Sequence, residues 1–155
     1  MRIGSITIQK ESNTKFIAEK LSEVCQKGDL IALSGEFGSG KTTFARYFVK
    51  KVTKVNNVPS PTYNLILSYN SRKSVIYHMD AWRLKNEDEA VSLGIAEMFE
   101  NSIFIIEWAE KIKNLLPDNC LNLIIYNCEK ARKLVFNGGS EWKDRLKEFS
   151  LDDYE

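Results

Sequence analysis

The chain has 155 residues and a mass of 17.8 kDa, which fits one domain, 1–155, and leaves no room for two full ones. Hydrophobic residues make up 43% and aromatic residues 11%, a globular composition that excludes a disordered chain. Lys plus Arg is 22 and Asp plus Glu is 21; a net charge of +1 argues against a stand-alone nucleic-acid binder, though not against an enzyme reaching nucleic acid through partners.

No apolar run approaches the ~18 residues of a membrane span. The first residues, MRIGSITIQKESN, lack the apolar core of a secretory signal, so a cytoplasmic protein without membrane contact is expected. Cys25, Cys120 and Cys128 have no CxxC spacing, and His78 is the single histidine, which leaves too few ligands for structural zinc. Reduced, buried thiols are the plain expectation.

In chain order, Ile6 and Ile8 alternate in a short strand over residues 5–9. Ser12 and Asn13 are candidate N-caps for a helix over 14–27, with Ile17, Leu21 and Val24 on one face and Gly28 ending it. The run LIALS, 30–34, reads as a fully buried strand, and after a glycine-rich turn a second helix runs from Lys41 to about Thr53. Pro59 and Pro61 impose an extended segment, followed by a strand over 63–69. Residues 75–79 and 103–106 are β-rich and end at Asp80 and Glu107, with a mostly helical stretch, 86–100, between them. Strands over 121–126 and 133–136 and a terminal helix over 141–149 with an acidic tail complete the chain. Strands interleaved with helices predict an α/β three-layer sandwich with a mixed, mostly parallel sheet, in which 63–79 forms an antiparallel hairpin.

Gly35-Glu36-Phe37-Gly38-Ser39-Gly40-Lys41-Thr42 matches the phosphate-binding pattern GxxxxGK[ST]. Glycines let the backbone N–H groups point inward at a β-phosphate. Lys41 adds a mobile charge near the β- and γ-phosphates, the Thr42 hydroxyl ligates Mg²⁺, and the helix starting at Lys41 aims its positive dipole end at the same anion. A chain of this length meets the pattern by chance only about once in two hundred. Here it also has the required context of an apolar strand before and a helix after.

Such a loop needs an acid at the end of a neighbouring strand to help hold Mg²⁺. Asp80, closing VIYHMD, and Glu107, closing SIFIIE, both qualify, and the residues alone do not rank them. Thr62 occupies a stiff loop where γ-phosphate-sensing threonines occur, or is a plain loop residue. Trp108 either borders the nucleotide or packs in the core. His78 lies two residues before Asp80 and points the same way; a structural histidine is the commoner fate, a base the rarer. There is no Asn-Lys dipeptide and so no NKxD guanine reader, which favours ATP. The arginines are scattered, with no evident lid of the kind small-molecule kinases use.

The set GEFGSGKTTFAR, SPTYNLI, YHMDAWRL and FIIEWAEKI resembles the TsaE (YjeE) family of bacterial ATPases, in order and spacing, from about Thr14 to Arg132. The resemblance implies a P-loop NTPase-like α/β fold and ATP and Mg²⁺ as cofactors. It also implies a part in forming threonylcarbamoyladenosine beside the anticodon of tRNA. Two partner proteins, TsaB-like and TsaD-like, would carry the carbamoyl transfer, with tRNA reached through that complex.

By the same resemblance the nucleotide contacts are Thr14, Glu36, Phe37, Gly38, Ser39, Gly40, Lys41, Thr42, Thr43 and Arg132. Lys41, Asp80 and Glu107 are the catalytic candidates, Thr42 and Glu107 the metal ligands, and Thr62 and Trp108 further candidates. Phe37, Ser39, Trp82 and Ala109 depart from the family's usual residues without removing a charged group. A small-molecule kinase and a nucleotide-responsive binding module that does not hydrolyse are the competing readings.

Overall fold

A computed structural model describes residues 1–53, 58 and 65–151. Seven strands form one sheet in the order β1-β7-β6-β2-β5-β4-β3. They are β1 (Arg2–Ile8), β2 (Leu30–Gly35), β3 (Ile66–Asn70), β4 (Val75–Asp80), β5 (Ser102–Glu107), β6 (Leu121–Cys128) and β7 (Ala131–Asn137). The centre, β6-β2-β5-β4, is parallel. β3 pairs antiparallel with β4 as the expected hairpin, and β7 and β1 add antiparallel strands on the other side.

The central strands are buried on both faces, which is why they read as continuous apolar runs. Along β2 and β5, Ile31, Leu33, Ile103 and Ile105 pack to one side, and Leu30, Ala32, Phe104 and Ile106 to the other. The first side is covered by α1 (Glu11–Val24) and α2 (Lys41–Thr53), through Ile17, Ala18 and Leu21 and through Phe44, Ala45, Phe48 and Val49. Trp142 of α4 (Ser140–Arg145) joins them. The second side is covered by α3 (Glu87–Ser92) and two 3-10 segments, Ile95–Asn101 and Ala109–Leu115. The result is three layers, with the helices on opposite faces of a twisted sheet.

Several boundaries differ from the sequence reading. The first helix begins at Glu11, so Ser12 and Asn13 lie inside it. Asn13 still acts at the N-terminus, because its Oδ1 accepts the Lys10 N–H at 3.3 Å. The helix expected over 86–100 is broken at Gly94, which turns left-handed (φ 71°) and starts a 3-10 segment. The terminal helix is likewise α4 followed by a 3-10 turn, Lys147–Phe149. Cys25 and Cys120 are buried, and burial pushes both thiols up, but Cys128 at the end of β6 is exposed. No helix among the described residues is long and apolar enough to cross a membrane.

Candidate functional site

The parallel strands β2, β5 and β4 all end on the same edge of the sheet, where open α/β sheets place their ligand crevice. β2 delivers the glycine-rich loop there and α2 leaves from it, so the helix N-terminus faces the crevice. Only glycine fits at the end of β2. Gly35 has φ 145°, and a Cβ added there would sit 2.4 Å from the Ile125 carbonyl oxygen of β6.

Lys41 lies back across the loop. Its Nζ donates to the Gly35 and Glu36 carbonyls at 2.6 and 2.8 Å and to Ser39 Oγ at 3.3 Å, and it stands 4.0 Å from the Trp108 ring centroid. Burial lowers its pKa, opposed by Glu110, Glu107 and Asp80. Arg132 supports the loop from the other side: its Nε donates to the Ser39 carbonyl at 3.1 Å and its Nη2 to the Gly38 carbonyl at 3.4 Å.

Along β4 and β5 the side chains alternate, and Ile76 and Ile105 already face α2. His78 and Asp80 on β4 and Glu107 on β5 therefore point to the α2 side, with Asp80 directly opposite Glu107. Thr42 Oγ1 donates a short hydrogen bond to Glu107 Oε1. His78 Nε2 lies 2.6 Å from Glu107 Oε2, so both oxygens of this carboxylate are engaged. Asp80 is held differently, its Oδ1 accepting the Trp82 N–H at 3.0 Å. Burial raises the Asp80 carboxyl above its ordinary value; Glu107 adds to this, while the Trp82 N–H, His78 and Lys41 act against it.

Two clefts adjoin across the loop. One, of about 350 Å³, is lined by Lys41, Thr42, Asp80, Glu107, Trp82 and Trp108, together with the loop itself. The other, of about 280 Å³, lies between Thr14 of α1, Thr43 of α2, Lys130 of the β6–β7 turn and Arg132 of β7. Gly38, Ser39, Gly40 and Thr43 border both. Of the residues singled out in the sequence, the Glu36 side chain is exposed and only its carbonyl takes part, through Lys41. Thr62 lies outside the described residues.

Two features escaped the sequence reading. The contact between His78 and Glu107 depends on β4 and β5 being neighbours, and nothing in either strand announces that. Phe37, Trp82 and Trp108 form an aromatic group over the cleft, with Trp82 and Trp108 centroids 4.6 Å apart and Phe37 at 5.7 Å from each. Phe37 is 74% exposed at the loop tip, and Trp108 sits in a left-handed conformation (φ 56°) directly after Glu107. Its φ, unusual for a large side chain, turns the ring back over Lys41.

Comparison with known proteins bears on this arrangement. Residues 8–134 match the profile of the family described as threonylcarbamoyl adenosine biosynthesis protein TsaE. The chain belongs to the TsaE family. A relative from Rickettsia felis, named tRNA threonylcarbamoyladenosine biosynthesis protein TsaE, is 38% identical over 130 residues, covering 83% of this chain and 76% of the relative. The Bacillus subtilis protein of the same name is 34% identical over 143 residues, covering 90% and 89%. The crystal structure of Bacillus subtilis YdiB superposes with a TM-score of 0.75 at 26% identity, covering 94% of this chain and 93% of YdiB. The matched segment runs from the end of β1 into β7 and contains both clefts.

Proposed function

We propose that this protein binds ATP with Mg²⁺ across the two clefts and hydrolyses it as the ATPase component of the machinery that forms threonylcarbamoyladenosine in tRNA. The carrying observation is the chain of contacts at the end of β2. Lys41 and Thr42 lead α2, and Thr42 is bonded to Glu107, a carboxylate at the end of the adjacent parallel strand. Family membership supplies the pathway; TsaB-like and TsaD-like partners carry the carbamoyl transfer, and tRNA is reached through that assembly.

The donor set suits Mg²⁺. Thr42 Oγ1 and Glu107 Oε1 are hard oxygens already in contact, with Asp80 opposite Glu107 on β4. Among the described residues no group of three or more His, Cys, Asp or Glu could hold a metal. Mg²⁺ is commonly held that way, by one or two carboxylates and the substrate's own phosphates. Thr42 and Glu107 would hold it, and when bound it would neutralise phosphate charge during the transfer.

The chain's own residues do the rest. Lys41, released from the loop carbonyls, pairs with the phosphates, and the loop N–H groups and the α2 N-terminus hold them. Thr14, Thr43 and Arg132 border the nucleoside end. Asp80, buried in the cleft lined by Lys41, Thr42 and Glu107, orients the attacking water. The lining of that cleft includes no arginine among the described residues, so turnover by the protein alone is slow.

The test is reconstitution with the two partner proteins, ATP and unmodified tRNA, followed by nucleoside analysis of the tRNA. Modified adenosine should form with the wild-type chain and not with Lys41→Met. Equal product with that variant, or without this chain, would overturn the proposal.

A further inference from the structure

His78 is the one histidine in the chain and it is wholly buried, with 0% of its surface exposed. Among the described residues its ring makes a single polar contact, Nε2 to Glu107 Oε2 at 2.6 Å. Its Nδ1 is buried with no hydrogen-bond partner among the described residues. A buried polar atom left unpaired costs about 1–3 kcal/mol, so a histidine in this setting is a poor choice for packing alone. A leucine would fill β4 without that cost. The histidine is therefore explained by what its other nitrogen does.

An ionised carboxylate can only accept hydrogen bonds, so Nε2 must carry the proton. In a neutral ring Nδ1 is then a lone pair, a lesser penalty than a buried, unpaired N–H. The opposite tautomer would set a lone pair against Glu107 Oε2 and leave an N–H without an acceptor. The geometry thus selects the Nε2–H form. On the far side of the same carboxylate, Oε1 accepts from Thr42 Oγ1. Glu107 is gripped at both oxygens, by β4 on one side and by the first turn of α2 on the other.

We infer that His78 is a positioning residue, whose Nε2–H fixes the rotation of the Glu107 carboxylate so that Oε1 is presented to the Thr42 hydroxyl and to the cation that these two oxygens share. Asp80 is supported differently, its Oδ1 accepting the Trp82 N–H at 3.0 Å. The two acids at the strand ends thereby have separate supports and separate duties. Outer partners of this kind typically contribute 10–100-fold to metal affinity, roughly. This inference rests on the Mg²⁺–nucleotide reading of the site, and its test separates the two.

The test has two arms. The first titrates Mg²⁺ against binding of a fluorescent ATP analogue in wild type, His78→Leu and His78→Gln. Gln places an amide N–H near the position of Nε2, whereas Leu fills the space without a donor. His78→Leu should need ~10–100-fold more Mg²⁺, with metal-free analogue binding unchanged, and His78→Gln should recover most of the loss. Equal Mg²⁺ dependence in all three proteins, or equal losses in both variants, overturns the inference. A wild-type protein without any Mg²⁺ dependence overturns the site reading instead.

The second arm uses the unmodified chain and so survives any folding failure of the variants. With one histidine, a ¹⁵N-labelled sample carrying no histidine tag gives a single imidazole spin system. Its Nε2 should carry a proton. A bare Nε2 overturns the inference.

Discussion

Thr42 Oγ1 donates to Glu107 Oε1, tying the first turn of α2 to the C-terminal end of β5. Asp80, directly across the ladder from Glu107, instead receives the Trp82 N–H. The acids at two adjacent strand ends are therefore not equivalent, although their sequence contexts look alike. Glu107→Ala should weaken the Mg²⁺ dependence of nucleotide binding by more than the ~10–100-fold typical of an outer partner, and Asp80→Ala by less. Metal titrations of both variants check this; the reverse ranking would exchange their roles.

Lys41 is 5% exposed and bonds two loop carbonyls, so it both braces the loop and serves as its charge. Lys41→Met keeps the stem and removes the ammonium. Hydrogen bonds to charged groups contribute about 1.5–3 kcal/mol each, so nucleotide affinity should fall at least roughly tenfold. Calorimetric titration measures it, and wild-type affinity in this variant contradicts the phosphate-loop assignment.

Gly35 joins β2 to the loop with no space beside it, a Cβ meeting the Ile125 oxygen at 2.4 Å and Ser39 Oγ at 2.8 Å. Gly35→Ala should destabilise the fold by at least ~1–3 kcal/mol through backbone strain alone. The urea midpoint reports this. An unchanged midpoint would mean that β2 and β6 separate more easily than their pairing implies.

Asp80 carries a pH signature. Its folded pKa is raised, mainly by burial, above its unfolded value. Between those two values the folded state holds more protons, so stability falls as pH rises through the window. At neutral pH the ionised carboxylate is a net cost. Asp80→Asn keeps an oxygen for the Trp82 N–H and removes the charge, so the variant should be the more stable at about pH 7.5 and lose its advantage near pH 3.5. Denaturant melts at both values decide, and a variant no more stable than wild type at neutral pH refutes the assignment. Its activity should still drop, as expected where function is held at the expense of stability.

The phosphate loop was legible in the sequence because its chemistry is contiguous: glycines, Lys41 and Thr42 act within a few residues of one another. Asp80 and Glu107 were legible as strand ends, since apolar runs closing on an acid mark the edge where ligands bind. What they bond was not, because Thr42–Glu107 and His78–Glu107 require β2, β5 and β4 to lie side by side. The three-layer α/β class followed from interleaved elements, but β1 and β7 extending the sheet antiparallel did not, since short alternating strands carry no partner information. Arg132 illustrates the same limit. It reaches the carbonyls of Ser39 and Gly38 only because β6, parallel to β2, ends beside the loop and turns back there. The break at Gly94 was missed because a lone glycine in a helical pattern is usually tolerated.

ATP turnover by the protein alone and in its assembly tests the central claim most directly. The Lys41–Glu107 cleft includes no arginine among the described residues, and a charge-neutralising arginine supplied in trans is worth ~10³–10⁵ in rate. Steady-state hydrolysis should be slow for the isolated chain, rise when the TsaB-like and TsaD-like partners and tRNA are added, and vanish in both settings with Lys41→Met. Rapid hydrolysis by the isolated chain that the partners leave unchanged, or turnover that survives the loss of Lys41, would contradict the account.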